Sequence, residues 1–259
     1  MRPLFRQFPM IIAHTGCEGT EDNTEASIEA GIRSGAHMLE VDIRSSSDGY
    51  PVLSHDPIIC EGDGERLVIA DCTYNRLQEH AGSARTRRSG PRVPWELVLK
   101  RMTTWDGLLN LDLKDEGSIE RISWDISKSG ILERTIVTGC DATRATIVRS
   151  IIPEVPVMLN IQKDDLGCSN NEIDDHFRQR IKELCNSALA LGCAGINIQH
   201  SYCNSFVVDH AHQRFLSVTV WTVDQEVEMF RLLSLGVDAI TTRQPTLLGT
   251  IMSKNRQLA

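Results

Sequence analysis

Short apolar runs alternate with amphipathic stretches along the whole chain. The runs "MIIAH", "HMLEVDIR", "GLLNLDLK", "RTIVTG", "VPVMLNIQ", "AGINIQ", "LSVTVWTV" and "VDAITT" are rich in Val, Ile and Leu. Strands of a parallel sheet covered on both faces have that composition. The stretches between them read as helices. Thr24 is placed to cap the first, Ile28 and Ile32 follow one turn apart, and Gly35 lies just past its end. "DQEVEMFRLLSLG" puts Val227, Phe230 and Leu233 on one stripe and closes on Gly236. Strand and helix alternate through 259 residues, which predicts an α/β fold of the TIM-barrel type. An open doubly wound sheet is the rival, and it needs a G-x-G-x-x-G turn that the chain lacks.

One segment breaks the rhythm. The stretch from "HDPIICEGDG" to "SGPRVPWE" is polar, contains several glycines and is too long for an ordinary strand-to-helix loop. It predicts a small insertion after the second strand, residues 56–93, lying over the mouth of a single barrel domain that spans 1–259 and resumes near Pro94. The closing "SKNRQLA" reads as a frayed tail.

Polar residues inside the strands carry the chemistry. Side chains alternate between the two faces of a strand. In "HMLEVDIR", Leu39, Val41 and Ile43 point toward the helices, so Glu40, Asp42 and Arg44 point toward the barrel axis. In "GLLNLDLK", Asn110, Asp112 and Lys114 take the inner face, and in "LSVTVWTV" Thr219 and Trp221 share it. A lone strand carboxylate is usually part of an ordinary salt bridge. Here three carboxylates and a lysine converge at the C-terminal ends of two strands, where active sites of this fold lie. Carboxylates that close together are costly unless a cation joins them. All-oxygen ligands suit Mg2+ or Ca2+ better than Zn2+.

Two histidines fall at the same end. His14 closes the first strand, and His55 closes "YPVLSHD" after the turn signal "SSSDG". Neutral imidazole is a natural general acid or base near pH 7. His200 ends "INIQH" at the same face and is a weaker candidate for touching substrate. His37, His80, His210 and His212 read as surface or packing residues.

Composition narrows the partners. A net charge of −8 argues against nucleic acid or an anionic membrane as the main partner. No apolar run approaches the roughly 20 residues that span a bilayer, and no secretory leader is evident, so the expectation is a protein without stable membrane insertion. The eight cysteines contain no C-x-x-C pair and read as buried thiols of a reducing compartment, which makes cytoplasm the expected location. Oligomeric state is not written in the sequence.

The ordered set "IAHTG", "DNTEAS", "LEVDIR", "SDGYPVLSHDP", "PRVPWELVL", "NLDLK" and "VWTVDQEVEMFRLLSLGVDAITTRQPTLL" resembles the glycerophosphodiester phosphodiesterase family over nearly the whole chain. The resemblance implies one divalent cation, Mg2+ or Ca2+, held by Glu40, Asp42 and Asp112. It implies His14 and His55 as the acid–base pair, Lys114 as a phosphate contact, Trp221 in the pocket wall, and the insertion as a cover over the substrate. The implied reaction is hydrolysis of a small-molecule diester of glycerol phosphate to an alcohol and a phosphomonoester, which belongs to lipid metabolism.

The chain departs from the family pattern at four places. Thr15 stands where the family has an arginine, so the motif reads H-T-G in place of H-R-G. Asp112 stands for a glutamate, Asp22 for the glutamate of E-N-T, and "TRQP" for T-D-R-P. These changes suggest a different diester, such as a sugar phosphodiester. A catalytically silent phosphodiester-binding barrel and a lyase that forms a cyclic phosphate use the same residues and stay open. One positive charge is lost at Thr15 and one gained at Arg243, on strands that a closed barrel makes neighbours. Arg243 is therefore expected to supply part of the missing phosphate clamp, with inward-facing Arg44 as the second candidate.

Overall fold

The computed structural model describes residues 9–60, 66–81, 94–167 and 174–257. In chain order the elements are β1 (Met10–Ala13), α1 (Glu25–Arg33), β2 (Met38–Ser45), β3 (Pro51–Leu53), β4 (Ile58–Cys60), β5 (Arg66–Val68), α2 (Tyr74–Ala81) and α3 (Trp95–Thr104). They continue with β6 (Leu108–Leu113), α4 (Ile119–Lys128), β7 (Thr135–Cys140), α5 (Ala142–Ile151), β8 (Val157–Ile161), α6 (Lys163–Leu166) and α7 (Asp175–Ala190). The last are β9 (Gly195–Gln199), α8 (Ser205–His212), β10 (Ser217–Trp221), α9 (Glu226–Leu235), β11 (Ala239–Thr242) and α10 (Pro245–Gln257).

Strands β1, β2, β6, β7, β8, β9, β10 and β11 are mutually parallel, and β1 pairs with both β2 and β11, which closes the sheet into a (β/α)8 TIM barrel. Each of the eight apolar runs became one of these strands. Leu39, Val41, Ile43, Leu109, Leu111, Leu113, Ile196, Ile198, Val218 and Val220 all join the core between the strands and the helices. The polar residues that alternate with them are left facing the axis. Closure matters for the site because it sets Ala13 beside both Leu39 and Thr242, so the loops after β1, β2 and β11 meet at one rim.

Local chemistry explains the helix starts. Thr24 caps α1 by accepting from the Ser27 N–H, and Gly35 follows with φ of 77°, which glycine adopts freely. The stripe expected on α9 is corrected at two of its three residues: Val227 is 76% exposed and Phe230 41% exposed, Leu233 packs half-buried against the core, and Met229 and Leu232 are the buried residues. Both stripes have helical spacing. The expected frayed tail is also corrected, because α10 runs on through Gln257, with Ile251 and Met252 packed into the core. Residues 258–259 lie outside the described residues.

The segment after β2 has its own small core. β3 runs back antiparallel along the end of β2, β4 and β5 form a separate hairpin, and Val52, Ile59, Leu67, Ile69, Cys72, Tyr74 and Leu77 bury one another. Pro94 is the N-cap of α3, where the barrel rhythm resumes. The rest of the expected insertion, 61–65 and 82–93, lies outside the described residues. Cys17, Cys72, Cys140, Cys185, Cys193 and Cys203 are buried free thiols. His37 accepts from the Ile11 N–H and His210 is buried, both in packing roles, while His212 pairs with Asp238 at the surface. No helix among the described residues is long and apolar enough to cross a membrane.

Candidate active site

Glu40 and Asp42 on β2 and Asp112 on β6 face the axis, with Asp42 directly opposite Asp112 in the strand register. Each of the three offers an oxygen within 4.8 Å of the others. Lys114 Nζ donates to Asp42 at 2.9 Å and to Asp112 at 2.6 Å. One ammonium against three carboxyls leaves negative charge in surplus. Glu40 carries the strain: burial, then Asp42 and Asp112 beside it, push its carboxyl well above the usual range. Burial also works against charge on Asp42, but Lys114 and an Asn23 hydrogen bond outweigh it and hold that carboxyl low. Burial likewise opposes charge on Lys114, and its two carboxylate partners overcome it and raise its pKa. An oxygen-only, electron-rich set, with Glu40 and Asp42 buried and Asp112 partly exposed, fits a hard divalent cation and does not favour Zn2+.

The turn after β1 builds the other side. His14 Nδ1 donates to the Thr15 carbonyl, which leaves Nε2 with the lone pair in the neutral ring. Burial lowers the His14 pKa, and Arg243 lowers it further, so the imidazole is neutral near pH 7. The Thr15 N–H donates to Glu40 Oε2 at 2.9 Å. The Thr15 hydroxyl accepts from the Asn23 N–H. Asn23, at φ 58°, donates from Nδ2 to Asp42 at 3.0 Å, and its Oδ1 accepts from the Asp42 N–H at 3.3 Å. The roles of Thr15 and Asn23 were not read from the sequence. Their signal is weak: an Asn in a polar turn, one of the few residue types that tolerates positive φ.

Gly139 at the end of β7 is a second unforeseen element. Its φ is 72°, and a Cβ there would collide with the Asp112 carboxylate and the Leu113 backbone. Gly139→Ala is expected to destabilise the fold by about 2–5 kcal/mol, the sum of left-handed strain and overpacking. It should also weaken divalent-cation binding by turning Asp112 away. Chemical denaturation and cation titration check both, and a variant of wild-type stability would contradict the crowding argument.

The remaining candidates fall around the same rim. His55 follows Ser54, whose N–H donates to the Asp42 carbonyl, and its exposed ring pairs through Nδ1 with Asp56 at 2.9 Å. Arg44 Nε donates to the His55 carbonyl at 2.9 Å and its guanidinium lies 3.7 Å from Asp115, so it holds the His55 turn. Arg243 follows β11, donates its N–H to Asp224 and lies 3.6 Å from Asp22 on the turn after β1. Trp221 donates from its indole to the Asn197 carbonyl at 3.4 Å, on the uncharged wall where Asn160, Asn197 and Thr219 hydrogen-bond one another. His200 sits farther round, with Nδ1 3.3 Å from Glu228.

Comparison with known proteins bears on the family and the fold. Residues 7–247 match the profile of the Glycerophosphoryl diester phosphodiesterase family. YhdW of Bacillus subtilis is 26% identical over 243 residues, covering 91% of this chain and 94% of that protein. A glycerophosphodiester phosphodiesterase of Caldanaerobacter subterraneus is 22% identical over 255 residues, covering 95% of this chain and 98% of that one. An Oleispira antarctica phosphodiesterase, solved in complex with the product sn-glycerol-3-phosphate, superimposes with a TM-score of 0.73 at 22% identity, covering 95% of this chain and 97% of that one. With the family profile spanning nearly the whole chain, the protein belongs to the Glycerophosphoryl diester phosphodiesterase family, a family of phosphoric diester hydrolases.

Proposed function

We propose that this chain hydrolyses a glycerophosphodiester-type small molecule with the help of one divalent cation of the Mg2+ or Ca2+ kind. The observation that carries the reading is the cluster of Glu40, Asp42 and Asp112 at the barrel mouth, with Lys114 between two of them and His14 beside the third. Glu40, Asp42 and Asp112 would hold the cation. When bound, it would supply positive charge to the phosphoryl oxygens as the transition state forms. Lys114 adds a second positive charge on the same side. His14 Nε2 takes the proton of the attacking water as its oxygen bonds to phosphorus. His55 gives a proton to the alcohol oxygen as the P–O bond to it breaks. The products are an alcohol and a phosphomonoester.

Arg243 lies against the turn after β1: its carbonyl accepts from the Glu18 N–H, its guanidinium is 3.6 Å from Asp22, and its side chain is 42% exposed. Its guanidinium would contact the phosphate that Thr15 cannot reach. Arg243→Ala is expected to lower kcat/KM by a factor equivalent to about 2–3 kcal/mol of transition-state stabilisation. Arg243→Lys keeps the charge but loses the planar fork, and should recover only part of it. Thr15→Arg is not a suitable rescue, because the Thr15 side chain is buried against Asn23. An inert Arg243→Ala would leave Arg243 as the partner of Asp22 alone.

The direct test is a panel of glycerophosphodiesters incubated with Mg2+ or Ca2+ and followed by phosphorus NMR. A metal-dependent phosphomonoester is the expected product. A cyclic phosphate would instead identify a lyase, and no turnover with retained diester binding would identify a silent barrel.

A further inference from the structure

We infer that the Thr15 hydroxyl is a positioning group for the cation site, a task the sequence assigns to no residue. Thr15 is 3% exposed and is joined to the site by three hydrogen bonds, each to a different part. Its N–H fixes Glu40, its carbonyl fixes the tautomer of His14, and its hydroxyl holds the Asn23 N–H. Only the last bond depends on the side chain. It pins Asn23 in the left-handed conformation from which the Asn23 amide clasps Asp42 through both Nδ2 and Oδ1.

The chain of contact is therefore Thr15 Oγ1 to the Asn23 backbone, and the Asn23 side chain to Asp42. Without the hydroxyl, the Asn23 N–H loses its partner in a buried setting, and the turn gains a reason to relax out of a conformation that an Asn adopts at some cost. Asp42 would keep its strand position but lose the Asn23 Nδ2 bond that orients its carboxylate, and its N–H would lose the Asn23 Oδ1 acceptor. Outer partners of this kind commonly change cation affinity or activity by 10–100-fold. An arginine at this place cannot accept from an N–H, so the hydroxyl is a device of this chain's own sequence.

The inference rests on the cation-site reading above, and its test begins without substrate. Mg2+ and Ca2+ are each titrated alone into the full chain by calorimetry. Thr15→Val keeps the shape and removes the acceptor, and is expected to weaken cation binding about 10–100-fold, with a comparable loss in kcat and little change in KM. Thr15→Ser restores the acceptor and should match the wild type. Asn23→Ala should reproduce the cation defect, and Thr15→Val added to it should cost little more, because both cut one chain of contacts. Thr15→Val that binds cation as tightly as the wild type would overturn the inference, as would Thr15→Ser that behaves like Thr15→Val. If Thr15→Val does not fold, Thr15→Ser and Asn23→Ala decide: a wild-type Asn23→Ala overturns it. Wild-type protein that binds neither ion overturns the cation site itself, an outcome separate from all of these.

Discussion

Glu40→Gln is expected to abolish cation-dependent turnover while leaving the metal-free protein as stable as the wild type or more so. The two halves have one cause. Glu40 is buried between the backbone of Thr15 and two further carboxyls, and its own carboxyl is pushed well above its ordinary value by burial and by Asp42 and Asp112. Below the ordinary carboxylate range the group is neutral in both folded and unfolded chains and carries no penalty. As pH rises, the unfolded chain ionises first and the folded chain resists, so the folded state binds more protons and stability falls with pH until the raised pKa is passed. Denaturation in chelator should show this downward slope in the wild type and a flatter one in Glu40→Gln. The glutamine side chain still accepts from the Thr15 N–H but brings no charge to a cation. A variant that kept full turnover in saturating divalent ion, or that was much less stable at neutral pH, would show that Glu40 serves the fold and not a cation.

The barrel was legible because its two periodicities are clean. Runs such as "LLNLDL" alternate strictly, so a single register choice sends Leu109, Leu111 and Leu113 to the helices and Asn110 and Asp112 to the axis. The same alternation makes the acidic cluster visible in the sequence, since three carboxylates stand on the inner faces of otherwise apolar strands. What stayed hidden depends on contacts across the rim. Whether Val227 or Met229 faces inward on α9 depends on how the helix is rotated against the barrel, and both stripes are apolar in sequence. The polar composition of the end of α10 predicts fraying, although the neighbouring Ile251 and Met252 reach back onto the core.

The site divides in the same way. Carboxylates, lysine and histidines announce themselves by residue type, but supporting residues do not. Thr15 looked like the loss of an arginine and proved to be a buried hydrogen-bond hub. Gly139 looked like an ordinary glycine at a strand end, and its missing Cβ makes room for Asp112. Arg44 looked like a phosphate ligand because it faces inward beside Asp42, yet its guanidinium is engaged by the His55 carbonyl and Asp115. In each case the sequence gives the side chain's chemistry, and the partner that consumes it comes from another loop.

His14→Ala and His55→Ala are each expected to lower turnover of an alkyl diester by roughly 10²–10⁴, with cation binding largely kept. Their surroundings separate the two roles. His14 donates through Nδ1 to a carbonyl, and burial keeps it neutral, so its Nε2 lone pair suits the removal of a proton from water. His55 is exposed and its Nδ1 lies 2.9 Å from the Asp56 carboxylate, a contact that orients the ring at the open side of the site for delivery of a proton to the leaving oxygen. The leaving group tells them apart. An alkoxide needs its proton as the P–O bond breaks, whereas a nitrophenolate departs without one. A nitrophenyl diester should therefore rescue His55→Ala toward wild-type turnover and leave His14→Ala impaired. The pH–rate profile on alkyl diesters should be bell-shaped, with each substitution removing one limb. Rescue of His14→Ala in place of His55→Ala would exchange the assignments, and near-native turnover by either variant on alkyl diesters would remove that histidine from the chemistry.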